Sequence, residues 1–387
     1  FRSTFALGAA VAAAAASVPA RGGVDLTPGL KVGVEERYDD DALLAAAGAG
    51  QLTTKVSPKL GLDVRGHTFE SSGWYAADLQ LRHQSGSFTV DHRAKAQAQV
   101  HLTERAWMDG AVSAWRVTDP TSLPRLGMAR TLSPVLYGRA AAGAHYEVTE
   151  RWTAGLEYAF EGAQIYDGRS GPGVMHSPAA EAWYRLSRIT DLGMELRLQQ
   201  FIFSSESAGA RSAAVTLRHR FTRLTHLAVR AGAGLYQGQG DLQGSPYPRA
   251  QLELGRDGER VDLMLVLGHD LMGASGFTAA IWADYGSALV DWRIAEPLKV
   301  YTAGNVYRNG RAPNLGLWPP GAPGSSQGYG VTAGLEWKVG RALALKVQGD
   351  HYAQIGAPAA GAVDLSRNVI SARLELTPFD WAPGRGW

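Results

Sequence analysis

The sequence predicts an all-β protein, a closed transmembrane antiparallel β-barrel of about eighteen strands. Two observations carry this. Polar and apolar residues alternate with a period of two through most of the 387 residues, and that period puts successive side chains on opposite faces of a strand. Short turns also alternate with longer connections rich in Gly, Pro, Ser and Asp, giving a hairpin repeat of roughly 32 to 46 residues. Eight short turns and nine longer loops join eighteen strands.

The amino-terminal segment 1–20 is set apart. Arg2 precedes an Ala-rich apolar run from Phe5 to Val18, and Val18-Pro19-Ala20 offers small residues for cleavage. This reads as a secretory signal peptide. No composition break divides the remainder, so 21–387 reads as a single barrel domain.

The strands are justified in chain order. The first is expected over 29–38, with Lys31 and Arg37 on one parity. In 52–65, Lys55, Ser57, Lys59, Asp63 and Arg65 alternate with Val56, Leu60, Leu62 and Val64, although Pro58 removes a ladder donor. Strands 69–83 and 88–102 follow. Within the second, Asp91, Arg93, Lys95, Gln97, Gln99 and His101 oppose Ala94, Ala96, Ala98, Val100 and Leu102, with only His92 out of place. Strands 105–117 and 136–148 flank a long connection. In 151–163, Thr153 and Glu157 alternate with Trp152, Ala154, Leu156, Tyr158 and Phe160.

Strand 177–188 carries Arg185, and in 191–203 Glu195, Arg197 and Gln199 alternate with Leu192, Met194, Leu196 and Leu198. Strands 210–221, 225–237, 247–256 and 259–270 bring Arg218, Arg220, Arg230, Arg249 and Glu253 to the polar parity. Segment 276–293 is unusually long and its parity slips near Gly286, which predicts a bulge there. After 297–308, the strand 327–338 sets Thr332, Glu336 and Lys338 between Val331, Ala333, Leu335, Trp337 and Val339. In 341–354, Lys346, Gln348 and Asp350 follow Leu343, Leu345 and Val347. The last, 367–379, sets Ser371, Arg373 and Glu375 between Ile370, Ala372, Leu374 and Leu376.

A soluble sandwich would bury the apolar faces together, whereas a barrel turns them to lipid and its polar faces to the lumen. Strands of membrane-crossing length, short turns on one side and long loops on the other favour the barrel. A β-propeller also repeats at about 40 residues, but it packs four short strands into each repeat. Closure meets a physical demand, since an open sheet edge cannot be left unpaired in lipid. The expected location is the bacterial outer membrane, with lipid around the barrel and both ends of the mature chain on the periplasmic side. Trp152, Tyr158, Phe160, Trp337 and Tyr146 suit interfacial aromatic belts.

Composition limits the chemistry. A net charge of +2 gives no basis for nucleic-acid binding, and the absence of cysteine removes disulfides, thiolate metal sites and thiol nucleophiles. The acidic run Asp39-Asp40-Asp41 admits calcium but suits a solvated loop better. His269-Asp270 raises the weaker reading of a barrel hydrolase, without a motif that fixes a nucleophile. No enzyme activity, cofactor or metal is expected.

The polar parity is the informative part, with mixed charge and a slight cationic excess. The candidate pore-lining residues are Lys55, Lys59, Arg65, Arg93, Lys95, Gln97, Gln99, Glu157, Arg185, Glu195, Arg197, Arg218, Arg220, Arg230, Glu336, Lys346, Asp350, Arg373 and Glu375. Pairing across strands accounts for most of them. The rest suit a water-filled path for anionic or strongly hydrated solutes. Trp74, Trp183, Trp282, Tyr236, Tyr301, Tyr307 and Tyr352 fall on the same parity, where they could stack on sugar faces or make plug contacts.

The start "GVDLTPGLKVGVEERYDDDALL", the compact "TER" turns and the end "ISARLELTPF" resemble the exopolysaccharide-associated outer-membrane barrels of Gram-negative bacteria. That resemblance implies export of a secreted polysaccharide beside a periplasmic polysaccharide-export protein, and it assigns no residue roles. The alternative, a general or sugar- or anion-selective diffusion porin for small hydrophilic solutes, shares nearly every feature. A dedicated porin would fold a long loop into the pore, and the connection 117–135 is the candidate.

Overall fold

A computed structural model of the chain describes residues 23–41, 50–118, 134–166, 172–203, 207–238, 244–272, 280–311, 325–356 and 365–378. The strands are β1 (Asp25–Asp39), β2 (Gln51–Arg65), β3 (Phe69–Arg82), β4 (Ser87–His101), β5 (Ala106–Val117) and β6 (Val135–Glu147). They continue with β7 (Trp152–Ile165), β8 (Gly173–Ser187), β9 (Thr190–Phe203), β10 (Ser207–Arg220), β11 (Thr225–Gln237) and β12 (Ser245–Asp257). The set ends with β13 (Val261–Met272), β14 (Ile281–Ala295), β15 (Leu298–Arg311), β16 (Ser326–Lys338), β17 (Leu343–Gly356) and β18 (Leu365–Leu376). Each pairs antiparallel with its neighbour in sequence, and β1 pairs with β18, so the eighteen-stranded sheet is closed.

The outward face is apolar. Leu156, Met194, Leu196 and Leu198 are 58–66% exposed, a cost that water would not repay across a whole belt. Closure removes the sandwich alternative, because no second sheet covers these side chains. The chain is a bacterial outer-membrane β-barrel, crossing lipid with strands that pair laterally on both sides around the closed sheet. The described turns are short on the side where β1 begins and β18 ends.

Three of these turns explain the recurrent Thr. The Thr103 hydroxyl accepts from the backbone N–H groups of Arg105 and Ala106. Thr149 does the same for Arg151 and Trp152, and Thr222 for Leu224 and Thr225. A hydroxyl that satisfies two turn donors is a general device for tight reversals, so turn chemistry accounts for the Thr of the "TER" pattern. On the opposite side Gly86 closes β3–β4 with φ of 62°, which a side chain would strain.

Some details differ from the sequence reading. The expected bulge near Gly286 is absent: Gly286 pairs regularly with Leu267 and Val306, and the register shift lies between Arg293 and Ala295. Gly286 explains the apparent slip, because a residue without a side chain fits either parity. Pro58 remains in β2, opposite Val32, while the β2–β3 pairing passes over Ser57 and Pro58. His92 sits outward on the apolar face, where its Nδ1 meets the Tyr75 hydroxyl at 2.7 Å. The pairs Tyr158–His176 and Tyr329–His351 repeat this arrangement, so outward polar exceptions satisfy one another across strands. Segments 1–20 and 119–133 and the aromatic end Phe379 and Trp381 lie outside the described residues.

Candidate functional site

Contacts between non-neighbouring strands must run through the interior, and they identify the inward face. Arg249 of β12 reaches Glu195 of β9 at 2.9 Å. The parity that carries Arg249 therefore lines the lumen, and the registers extend that assignment around the barrel.

One stretch of wall, from β14 through β18 and on to β4, is a lattice of cross-strand ion pairs. Glu375 accepts from Lys31 at 2.6 Å and from Lys346 at 3.1 Å, and Lys346 also meets Glu336 at 3.2 Å. Glu35 binds Lys55 at 3.0 Å and faces Arg373 at 3.6 Å. Arg93 pairs with Asp78 at 2.7 Å, Lys299 with Asp291 at 2.7 Å, and the Lys59 ammonium lies 3.9 Å from the Trp74 ring centre. All of these side chains except Asp78 border a cavity of about 590 Å³ lined by eight basic and five acidic residues, with Tyr301, Gln348 and Tyr352 among its polar groups. The excess is cationic on a partly hydrated surface.

The opposite stretch is covered. β12 and β13 pair only as far as Ala250 and His269. Beyond that point the end of β13 and the start of β14 pair with each other and turn into the lumen. The Leu271 carbonyl accepts from Gln199 of β9 at 3.3 Å. Leu271, Ala280 and Trp282 pack with Phe201, Phe203, Ala208, Ala210, Tyr236 and Tyr247, inward residues of β9 to β12. Arg249 anchors the fold: it donates to both Asp270 oxygens at 3.0 and 3.1 Å, to Glu195, and to Ser212 at 3.0 Å. Arg197 and Arg230 complete the cation shell of Glu195 at 3.0 and 3.6 Å. Among the described residues, the β13–β14 end is thus an inward segment.

Glycines let the inward rings lie flat along the wall. A Cβ on Gly334 would fall 2.3 Å from the Tyr301 ring, and one on Gly193 would fall 2.6 Å from Trp183. Ring-over-glycine packing pins register and keeps these aromatics out of the channel axis. Tyr301 and Tyr307 further donate to Gln348 and Gln354, at 2.8 and 2.6 Å. Trp282 and Tyr247 instead meet edge to face inside the apolar cluster.

The structure distributes the sequence candidates unevenly. Lys55, Lys59, Arg93, Glu336, Lys346, Asp350, Arg373 and Glu375 share the larger cavity. Arg218, Arg220 and Arg230 line a smaller one of about 320 Å³, where Arg218 covers Trp183 at 3.7 Å. Glu195 and Arg197 belong to the Arg249 cluster. Arg185 and Arg220 donate to the carbonyls of Glu150 and Arg188 and so brace turns. Arg65, Lys95, Gln97, Gln99 and Glu157 lie on the inward register of β2, β4 and β7 but line neither of these two cavities.

Arg367 was missed by the sequence reading. It is 2% exposed and grips Asp39, which Arg37 also meets at 3.2 Å. Asp40 next door accepts from the backbone and side chain of Asn368, both at 2.6 Å. The acidic run is therefore a clasp between the first and last strands, and ion pairing replaces the calcium reading for Asp39. Extending the inward parity of β18 back to residue 367 would have found it. The hydrolase candidate changes too. His269 Nδ1 contacts Asp284 at 2.5 Å, while Asp270 belongs to Arg249. His269 Nε2 is buried without a hydrogen-bond partner among the described residues, so none of their hydroxyls is held against it.

No family model and no curated protein matches the chain. Among solved structures it is similar to OccK2 (OpdF) of Pseudomonas aeruginosa in complex with glucuronate, at 10% identity and a TM-score of 0.47, over 91% of this chain and 98% of that one. It is also similar to OpdL of the same organism, at 12% identity and a TM-score of 0.43, over 92% and 99%. OccAB4 of Acinetobacter baumannii is a third, at 8% and 0.46, over 93% and 100%. Two of the three carry Occ names, and each is covered by this chain over almost its whole length. The resemblance to exopolysaccharide-associated barrels, and with it a periplasmic polysaccharide-export partner, gains no support from these comparisons.

Proposed function

We propose that the barrel is a diffusion porin for small hydrophilic solutes, with a preference for anions. The observation that carries the reading is the cavity of about 590 Å³ beside a wall of eight basic and five acidic side chains. Cations held on a hydrated wall lower the entry cost of an anion, and their many carboxylate partners keep any one contact weak enough to release it. Lys55, Lys59, Arg93, Lys346 and Arg373 would supply the field, with Lys95, Gln97 and Gln99 continuing the polar lining along β4. The covered β9–β14 stretch suits small solutes better than a polymer, because the inward β13–β14 end takes up lumen that a hydrated polysaccharide would need.

The test is the reversal potential of the purified barrel in a planar bilayer across a potassium chloride gradient. Chloride should be favoured over potassium. Liposome swelling should be faster with a sugar acid than with a neutral sugar of the same size. A cation-selective channel, or one indifferent to solute charge, would remove the anion preference; an unopened bilayer would remove the porin reading.

A further inference from the structure

We infer that the inner wall near the turn side carries a binding site for a divalent transition-metal cation, built from His145, Glu157 and Glu181 on β6, β7 and β8. One ligand atom from each of the three lies within 4.8 Å of the other two. These residues line neither cavity described above, although Arg197 and Arg218 lie near enough to Glu157 and Glu181 to interact with them electrostatically.

The geometry of this group fits shared coordination. His145 Nε2 lies 2.8 Å from Asp109 Oδ1, and an ionised carboxylate can only accept, so Nε2 carries the proton. In the neutral ring Nδ1 is then a lone pair, and it faces Glu181 Oε1 at 3.5 Å. A lone pair facing a carboxylate is stabilised by a cation between them, either a metal ion or, where the ring holds a second proton, that proton itself. A direct hydrogen bond is a poor description at that distance. Two ligands each about 2.1 Å from a tetrahedral zinc ion sit roughly 3.4 Å apart. The observed separation is that of co-ligands.

The surroundings hold the ring in place. Asp109 stands where a carboxylate orients a metal-binding histidine through its other nitrogen. The imidazole stacks on Trp107, with centroids 5.2 Å apart and planes at 16°. Gly155 is its cradle: a Cβ there would fall 2.8 Å from His145 Nδ1 and 2.9 Å from Glu181 Cγ. Any other residue would push the imidazole and the carboxylate apart. Glu157 is exposed in the lumen, which gives an ion a path in and leaves a coordination position for water. One imidazole and two carboxylates form a donor set suited to zinc and its first-row neighbours, and less to magnesium or calcium.

The experiment titrates zinc into chelator-treated, detergent-folded full-length barrel by calorimetry at pH 7.5. One saturable site per chain is expected. The Glu157→Gln and Glu181→Gln double variant should abolish it, and Asp109→Asn should weaken it about 10–100-fold, the usual effect of removing an orienting carboxylate. Gly155→Ala should also abolish it. Heat-modifiable gel mobility checks that each variant is a folded barrel. If a variant fails to fold, X-ray absorption of the zinc-loaded wild type decides: one nitrogen among oxygen ligands at 2.0–2.2 Å is expected. An all-oxygen shell, no saturable binding, or zinc affinity unchanged in the double variant would overturn the site and leave His145 as an imidazolium between carboxylates.

Discussion

The two sides of the lumen use the same residue types for different ends. Around β15 to β18 and β1 to β4, lysines and arginines pair with carboxylates on adjacent strands, and their side chains keep some water: Lys31 and Arg93 are each 30% exposed. Around β9 to β14, Arg249 reaches a non-neighbouring strand, is 2% exposed, and sits beneath an apolar cluster. A hydrated charge contributes a field to the channel, whereas a desolvated one fixes structure and is costly to orphan. Cover, and not charge count, separates a conducting wall from a supporting one.

The comparison breaks most readily at Arg249. Arg249→Met would leave Asp270 without its bidentate partner and Glu195 without its buried one, and should cost about 3–5 kcal/mol. Guanidinium unfolding in detergent reads that loss, and single-channel conductance should rise as the β13–β14 end comes free. An unchanged midpoint and conductance would mean that the apolar cluster alone holds the segment. Trp282→Ala tests that cluster, with an expected loss of about 3 kcal/mol and a smaller rise in conductance.

The conducting wall should respond chiefly in selectivity, with a smaller stability loss from the buried Asp78 and Glu35, which lose a partner. Replacing Lys59, Arg93 and Arg373 together by Gln should bring the chloride-to-potassium permeability ratio close to one, with gel mobility unchanged. The difference from wild type should shrink in 1 M salt, where the screening length is about 3 Å. A ratio that stays fixed would place the selectivity elsewhere. The smallest effect concerns facing alone. In this cysteine-free chain, Gln97→Cys should react with a membrane-impermeant thiol reagent and Ala96→Cys should not, neither change altering folding. Reversed labelling would exchange the two faces of β4, since a one-residue slip inverts every side chain.

The alternation at Arg93, Lys95, Gln97 and Gln99 against Ala94, Ala96, Ala98 and Val100 determined strand, length and the existence of two unlike faces. Summed over the chain it determined the number of strands and hence closure, because a period of two is local and each hairpin repeats it. What no local pattern could decide is which inward charges stay wet. Arg249 and Arg93 are indistinguishable by parity, and they part company only because β13 leaves β12 beyond His269 and covers one of them. Asp39 looked like a loop acid until the first and last strands met and brought Arg367, 328 residues away, against it. His145, Glu157 and Glu181 lie on three strands in inward positions that alternation does fix, but their common height depends on register and stagger. Burial, cross-lumen pairing and shared height are properties of the closed sheet, so only the tertiary structure decided them.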